Sequence, residues 1–208
     1  MKQKKFILQE NELPTQWYNI QADMPNKPLP PLNPATHEPV GVEDLAHIFP
    51  RECCVQELDT EHAWIDIPEE VQEKYRYYRS TPLVRAYALE EALDTPAHIY
   101  FKNESVNPLG SHKINSALPQ CYYAKQEGTT NVTTETGAGQ WGAALSYAAK
   151  VYGLEAAVYQ VKVTMQQKPY RSSIMRTFGA AVTGSPSMST RAGKNILNED
   201  PTHPGSLG

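Results

Sequence analysis

After about residue 95 the sequence alternates short apolar stretches with longer helical ones, and this alternation limits the folds open to the chain. The pattern predicts strands and helices in turn, joined by short connections. Such alternation is typical of an α/β fold in which helices cover both faces of a parallel sheet. The predicted strands are residues 97–102, 131–134, 156–163 and 180–183, and the predicted helices are residues 111–127, 139–152, 169–178 and 190–199.

The first part of the chain has a different composition, because eight of the 17 prolines of the whole chain fall within the first 50 residues. Proline fixes φ and lacks a backbone donor, so residues 24–39 are excluded from helices and central strands. We interpret them as an arm that packs on its own domain and buries flanking aromatic residues such as Trp17 and Trp64; a proline-rich ligand for a partner module is the alternative. The sequence therefore predicts an N-terminal arm and extension over residues 1–79 and an α/β core over residues 80–208.

Composition excludes several classes of partner. The formal net charge is −4, whereas a nucleic-acid surface needs clustered Lys and Arg. The three cysteines form no Cys-x-x-Cys pair, and the histidines lack metal-ligand spacing, so neither a disulfide framework nor a metal site is predicted. Because no signal peptide and no long apolar span are visible, we expect a cytoplasmic protein without nucleic-acid or membrane partners.

One candidate for chemistry is a lysine at the start of a predicted helix. Gly110 and Ser111 form a turn before Lys113, and Ser111 is a natural N-cap. The helix N-terminus carries about half a positive charge, which disfavours a protonated ammonium. Since a Schiff-base lysine must be neutral, Lys113 is a candidate nucleophile, with a surface lysine as the alternative. Pro119, inside the same predicted helix, predicts a bend or a restart.

A second candidate is the segment 135–142, which joins a predicted strand to a predicted helix. Its glycines let the backbone approach a ligand, and the free N–H groups of the helix start attract an anion. The third glycine of the dinucleotide fingerprint is missing, so NAD binding is not predicted. We interpret the segment as a loop for a small carboxylate with Glu135 beside it. The alternative is a tight turn with an exposed acid.

Together these segments resemble the tryptophan synthase β family, within the fold-type-II pyridoxal-phosphate enzymes. Ser111-His112-Lys113-Ile114-Asn115 resembles the lysine motif of that family, and Glu135-Thr136-Gly137-Ala138-Gly139-Gln140 resembles its substrate-carboxylate loop. Trp141 stands where the commoner β chains carry histidine, and in this respect the chain resembles the divergent second subfamily. Further similar stretches lie at residues 16–19, 28–32, 64–68, 167–171 and 203–208.

The resemblance implies a site and a reaction. Lys113 would hold pyridoxal 5'-phosphate covalently, with His112 near the phosphate and Asn115 holding the ring. Glu135 would be the acid–base group of a β-replacement that makes tryptophan from L-serine and indole. A homodimer and a tryptophan synthase α subunit are the implied protein partners. The implied binding residues for the substrate carboxylate are Thr136, Gly137, Ala138, Gly139 and Gln140.

The sequence also departs from that family. Family members are considerably longer, and their glycine-rich phosphate loop lies beyond residue 208, so the resemblance implies an N-terminal fragment of the α/β core. Leu109, Ile114 and Pro119 are unusual beside the lysine. The alternatives are another fold-type-II lyase, of the threonine synthase or dehydratase type, and an inactive truncated fragment. The carboxylate loop favours the tryptophan synthase type, because those other lyases more often carry Ser or Asn in this loop.

Overall fold

The computed structural model describes residues 2–205 of the chain. Its strands are β1 (Lys5–Phe6), β2 (Gln16–Tyr18), β3 (Trp64–Asp66), β4 (Leu83–Arg85), β5 (Tyr100–Lys102), β6 (Asn131–Thr136), β7 (Glu155–Val161) and β8 (Ala181–Ser185). Its α-helices are α1 (Val42–Leu45), α2 (Arg51–Leu58), α3 (Glu69–Arg76), α4 (Tyr87–Ala92), α5 (Ile114–Gln126), α6 (Gln140–Tyr152), α7 (Lys162–Gln167), α8 (Pro169–Thr177) and α9 (Arg191–Glu199). Short 3-10 helices lie at Glu10–Glu12, Ile20–Asp23 and Glu104–Val106.

The chain divides into two compact units, and each is built from two separate stretches of sequence. The first unit contains Met1–Tyr18 and Trp64–His112, and the second contains Asn19–Ala63 and Lys113–Gly208. The predicted boundary between residues 79 and 80 stays a prediction. Residues 206–208, which end the last stretch of family resemblance, lie outside the described residues.

The second unit contains a parallel sheet in the order β6, β7, β8. Valine and threonine in β6 favour extended backbone, because their branched side chains fit a pleated surface. In the register of the first pair, Glu135 lies opposite Tyr159 and Thr136 lies opposite Gln160. This sheet, with helices between its strands, confirms the predicted α/β class.

Helix α6 lies at the centre of the core of the second unit. Small side chains, including Gly142 and Ala143, are fully covered along its buried face. Ala143 packs with Val158 of β7, Met175 of α8 and Ala180 in one apolar cluster. Because Gly142 and Ala143 have no side chain or a small one, the sheet and the neighbouring helices can approach the axis of α6 closely.

Two predicted strands differ from the observed ones. The strand expected at residues 97–102 begins only at Tyr100, and it pairs antiparallel with β4 in the first unit rather than joining the parallel sheet. The strand expected at residues 156–163 ends at Val161, where α7 begins. The Thr164 hydroxyl donates to the Val161 carbonyl at 2.8 Å, which helps to turn the chain there. An apolar run predicts an extended segment, but it does not identify the strand that pairs with it.

The burial expected for the aromatic residues around the proline-rich arm is wrong for Trp64, which is 60% exposed, and for Tyr18, which is 50% exposed. Their rings pack against each other instead, with centroids 5.0 Å apart. Polar contacts fix the arm itself: the Lys27 ammonium donates to the carbonyls of Gln21 and Thr60 at 2.8 and 2.9 Å.

Helix α5 runs from Ile114 to Gln126 without a break at Pro119. Ile114 and Leu118 are completely buried, so apolar packing holds the helix where proline removes one backbone donor. None of the helices within residues 2–205 has the length and apolar character that a membrane crossing requires.

Candidate active site

The segment before the candidate lysine is a turn organised by Asn107 in the first unit. The Asn107 amide Nδ2 donates to the Ser111 carbonyl at 2.8 Å and to Glu104 Oε2 at 3.0 Å. Its Oδ1 accepts from the backbone N–H groups of Leu109 at 3.0 Å and Ser111 at 3.3 Å. Gly110 takes a φ of 61° inside this turn, a conformation that glycine adopts without strain.

The prediction that Ser111 caps the lysine helix is wrong. The N-cap position belongs to Lys113, and no side chain caps the helix there. Ser111 is buried in the Asn107 turn, which holds its backbone by both the N–H and the carbonyl. The helix can therefore begin only after this turn has ended.

Lys113 is a half-buried residue directly before α5. Its carbonyl accepts the first two backbone bonds of the helix, from Ser116 at 3.2 Å and Ala117 at 3.0 Å. Asn115 follows in the first turn and is also half-buried, whereas the side chain of His112 is exposed. Ile114, at 0% exposure, anchors this end of α5 in the core of the second unit.

Three hydroxyl and backbone contacts hold the candidate carboxylate loop. The Thr136 Oγ1 atom, at the end of β6, accepts the N–H of Gly142 at 3.2 Å. The Thr164 hydroxyl donates to the Gly137 carbonyl. The first backbone bond of α6 joins the Ala143 N–H to the Gly139 carbonyl at 3.0 Å. The loop thus lies between the carboxyl end of β6 and the N-terminus of α6, the place where α/β sheets bind ligands.

At two positions in this region the surrounding atoms leave room only for glycine. Gly139 has a φ of 88°, and a Cβ atom there would lie 2.8 Å from the Arg171 Cβ atom. A Cβ atom on Gly142 would lie 2.7 Å from both the Met175 Sδ and Val158 Cγ1 atoms. The backbone therefore makes its turn against packed side chains, and no larger residue fits without displacement.

Glu135 is an exposed residue one position before the end of β6. Side chains alternate along a strand, so Thr134 and Thr136 share one face and Glu135 lies on the other. The Thr134 hydroxyl oxygen accepts from the Trp141 indole N–H at 2.9 Å, which places that face against α6. Glu135 is consequently at the carboxyl edge of the sheet, on the face opposite the first turn of α6.

The predicted site residues of the second unit lie on two packed helices and one strand. Lys113 and Asn115 are at the start of α5, and α5 packs against α6, which follows the carboxylate loop. Residues 136–140 are consecutive, and the contacts of Thr136 and Gly137 hold them in one turn. The roles predicted for all these residues, and for His112, stay predictions.

Sequence reasoning missed three polar residues that surround this loop: Gln160 in β7, Thr164 in α7 and Ser172 in α8. Gln160 and Ser172 are buried and hydrogen-bonded to each other at 2.9 Å. The available signal was a glutamine in the middle of a predicted strand, directly between Tyr159 and Val161. A buried polar residue needs a partner, so such a position indicates either a structural network or a site.

Comparison with known proteins shows which class of protein this chain belongs to. The family model described as "Pyridoxal-phosphate dependent enzyme" matches residues 75–204, which is more than half of the chain. The chain belongs to this family of pyridoxal-phosphate dependent enzymes.

Curated relatives of the chain include several proteins named tryptophan synthase beta chain 2. Tryptophan synthase beta chain 2 of Thermotoga maritima is 54% identical over 201 residues, which are 97% of this chain and 47% of the relative. The protein of the same name from Methanosarcina acetivorans is 50% identical over 208 residues, 100% of this chain and 47% of the relative. That of Aquifex aeolicus is 52% identical over 205 residues, 99% of this chain and 47% of the relative. The chain thus spans about half the length of these relatives, and the resemblance noted in the sequence is confirmed.

The chemistry of the described residues fits the cofactor of the family. Lys113 carries a primary amine, the group with which pyridoxal phosphate reacts, and it lies directly before a helix whose first residue, Ile114, is buried in the core. The loop beside α6 supplies backbone N–H groups suited to an anion such as a carboxylate.

Proposed function

We propose that this chain carries the lysine and the carboxylate loop of a pyridoxal-phosphate dependent β-replacement enzyme that makes tryptophan from L-serine and indole. The observation that carries the proposal is the clamped turn at residues 136–142, which follows a parallel strand and opens a buried helix. The packing of the lysine helix against that same helix supports it. The similarity to proteins named tryptophan synthase beta chain 2 supports tryptophan as the product.

Substrate binding in this proposal depends on the turn between β6 and α6. The backbone N–H groups of residues 137–140 would receive the serine carboxylate, because the first N–H groups of a helix have no partner one turn earlier. Thr136 and Thr164 hold the turn from either end, so its overall path is fixed before the substrate arrives. A turn of this kind needs only a local change in its peptides when an anion binds.

Proton transfer would be divided between Lys113 and Glu135. Pyridoxal phosphate, when bound, supplies an electron sink for the electrons of a broken bond at the substrate α-carbon. The Lys113 Nζ atom would remove the α-proton and later return it. Glu135 would donate a proton to the departing hydroxyl oxygen and then accept or orient the indole N–H.

His112 and Asn115 complete the proposed cofactor site, near the phosphate and the ring respectively. We also propose the finer partners: a second copy of the chain in a homodimer, and a tryptophan synthase α subunit. A cytoplasmic location fits a biosynthetic reaction of this kind and the free state of all three cysteines.

The test is to trap the cofactor with borohydride and locate it by peptide mass. We expect a stable adduct on Lys113 and its loss in Lys113→Ala. Lys125→Ala is the matched control, since Lys125 is an exposed lysine in the last turn of the same helix. Adduct spread evenly over surface lysines, or unchanged in Lys113→Ala, would contradict the cofactor assignment.

The reaction itself is tested with L-serine and indole added to the pyridoxal-phosphate-loaded chain. Tryptophan formation that disappears in Lys113→Ala supports β-replacement. Formation of pyruvate and ammonia from serine, with no tryptophan when indole is present, would assign the site to a dehydratase instead.

A further inference from the structure

Gln160 has a buried amide group with one end satisfied and the other unsatisfied. The side chain is 0% exposed. The Ser172 hydroxyl donates to its Oε1 atom at 2.9 Å. Among the described residues, the Nε2 atom has no hydrogen-bond partner. Buried amide donors are nearly always paired in folded proteins, so an unpaired one calls for a physical explanation.

The unpaired donor is directed at the carboxylate loop. A Cβ atom built on Gly139 would lie 3.2 Å from Gln160 Nε2, so the amide lies directly against the loop backbone. Gln160 is also the register partner of Thr136, the last residue of β6. Paired residues of parallel strands project to the same face, and Thr136 uses that face to bind Gly142 of α6.

The geometry of the peptide bond relates the Gln160 amide donor to the loop N–H groups that would bind a ligand. In a trans peptide the N–H and the carbonyl point in opposite directions. When the loop N–H groups turn toward an anion, the carbonyls of the same peptides turn back toward the end of the sheet. Gln160 Nε2 lies beside Gly139, so a loop carbonyl that turns toward it can accept its hydrogen bond.

We propose that Gln160 is a positioning residue whose amide Nε2 becomes hydrogen-bonded to the loop backbone only when a carboxylate occupies the loop. The inference rests on the proposed carboxylate site. It adds the residue that couples closure of the carboxylate loop to the binding of substrate. In the free chain the amide is an unsatisfied group, and in the liganded chain it supports the backbone that holds the anion. The ligand thus provides the condition under which the amide is satisfied.

This role predicts opposite effects of one substitution on stability and binding. Gln160→Met keeps the volume but removes the unpaired donor, so the thermal midpoint of the ligand-free chain should rise by about 2 °C. The same variant should bind L-serine about tenfold more weakly, because the loop loses one hydrogen bond in the liganded state. Gln126→Met, an exposed position at the end of α5, is the matched control and should change neither quantity.

The direct measurement is the pair of side-chain amide resonances of Gln160 in the pyridoxal-phosphate-loaded chain, followed by ¹⁵N NMR. L-Serine is the probe, and ethanolamine, which is serine without its carboxylate, is the comparison. We expect serine to shift the Gln160 amide resonances and to slow their exchange with water, together with shifts at residues 137–141. Ethanolamine should leave the Gln160 resonances unmoved.

Several outcomes would overturn the inference. If serine shifts residues 137–141 but not the Gln160 amide, the carboxylate site stands and the role of Gln160 is wrong. Weaker serine binding together with a lowered midpoint in Gln160→Met would also overturn it, since the amide would then support the fold without ligand. If serine shifts none of the loop resonances, the carboxylate site fails and the inference fails with it.

Discussion

Gly142 lies in the first turn of α6, where the helix meets both the sheet and α8. A Cβ atom there would lie 2.7 Å from the Val158 Cγ1 and Met175 Sδ atoms and 2.8 Å from the Thr136 Cγ2 atom. These three side chains come from β7, α8 and β6, so none can move without disturbing an element that holds the carboxylate loop.

We expect Gly142→Ala to lower the free energy of unfolding by about 1–3 kcal/mol, because a methyl group would overpack this junction. Urea denaturation measures the change. Gly41→Ala is the control, since a Cβ atom there meets only Asp44 Oδ2 at an ordinary 3.7 Å. A Gly142→Ala chain as stable as the Gly41→Ala chain would show that the junction is less tightly packed than the structure indicates.

The residues that depart from the family pattern around the lysine have a packing explanation. Ile114 is completely buried and Leu109 is 5% exposed, so both fill the apolar interior of their own unit. Neither side chain carries a group that could take part in proton transfer. At this scale these two departures concern the apolar packing that supports the lysine segment.

At the scale of elements, an ion pair ties α4 to β4 in the first unit. The Arg85 guanidinium donates to both Glu90 carboxylate oxygens, at 2.9 and 3.0 Å. Glu90 also accepts the backbone N–H of Ile99 at 2.7 Å, immediately before β5. The hydrogen bond from Arg85, more than any other contact, lowers the pKa of the Glu90 carboxyl below its ordinary value, while burial opposes this shift.

A carboxyl whose pKa is lowered by folding stabilises the fold above its unfolded pKa, and this stabilisation is lost as the pH falls through the folded value. We therefore expect the first unit to become less stable as the pH drops below about 4.5, with part of that loss absent in Glu90→Gln. Circular dichroism against pH measures it. Glu91→Gln, an exposed neighbour in the same helix, should keep the acid sensitivity of the wild type. An identical acid profile for wild type and Glu90→Gln would exclude the ion pair as its source.

The elements of the second unit were largely predictable from the sequence, whereas their partners were not. The alanine-rich stretch of α6 and its closing Gly153, at a φ of 70°, give strong local signals for a helix and its end. The start of α5 was predicted wrongly, because Asn107 binds Ser111 through a turn that local propensity does not describe. The unpaired amide of Gln160 depends on the register of β7 and the position of α8, and both are set by packing across the chain.

At the scale of the whole molecule, all three cysteines lie in the second unit, so the reactivity of their thiols shows whether that unit is folded. Burial raises the pKa of the Cys53 thiol to about 12 and that of the Cys121 thiol to about 12. Cys54 is 2% exposed, and burial raises its pKa as well. Because the thiolate is the reactive form, thiols of this kind react slowly while they remain enclosed.

We expect the native chain to react with a thiol reagent such as DTNB at pH 8 far more slowly than free cysteine does. All three thiols should react at the rate of free cysteine in unfolding concentrations of urea. The dependence of the labelling rate on urea then gives the stability of the second unit without a spectroscopic probe. Rapid labelling of Cys121 in buffer alone would mean that helices α2 and α5 separate readily.

The register between β6 and β7 limits how this part of the chain can change during evolution. Thr136 and Gln160 are opposite each other because the helix and turns between them have one fixed length. A single-residue insertion near the start of β7 would move Tyr159 to the position of Gln160 beneath the loop, and a single-residue deletion would move Val161 there. Substitutions can accumulate at exposed positions such as Lys150, but natural variants of this segment should conserve its length even where its residues diverge.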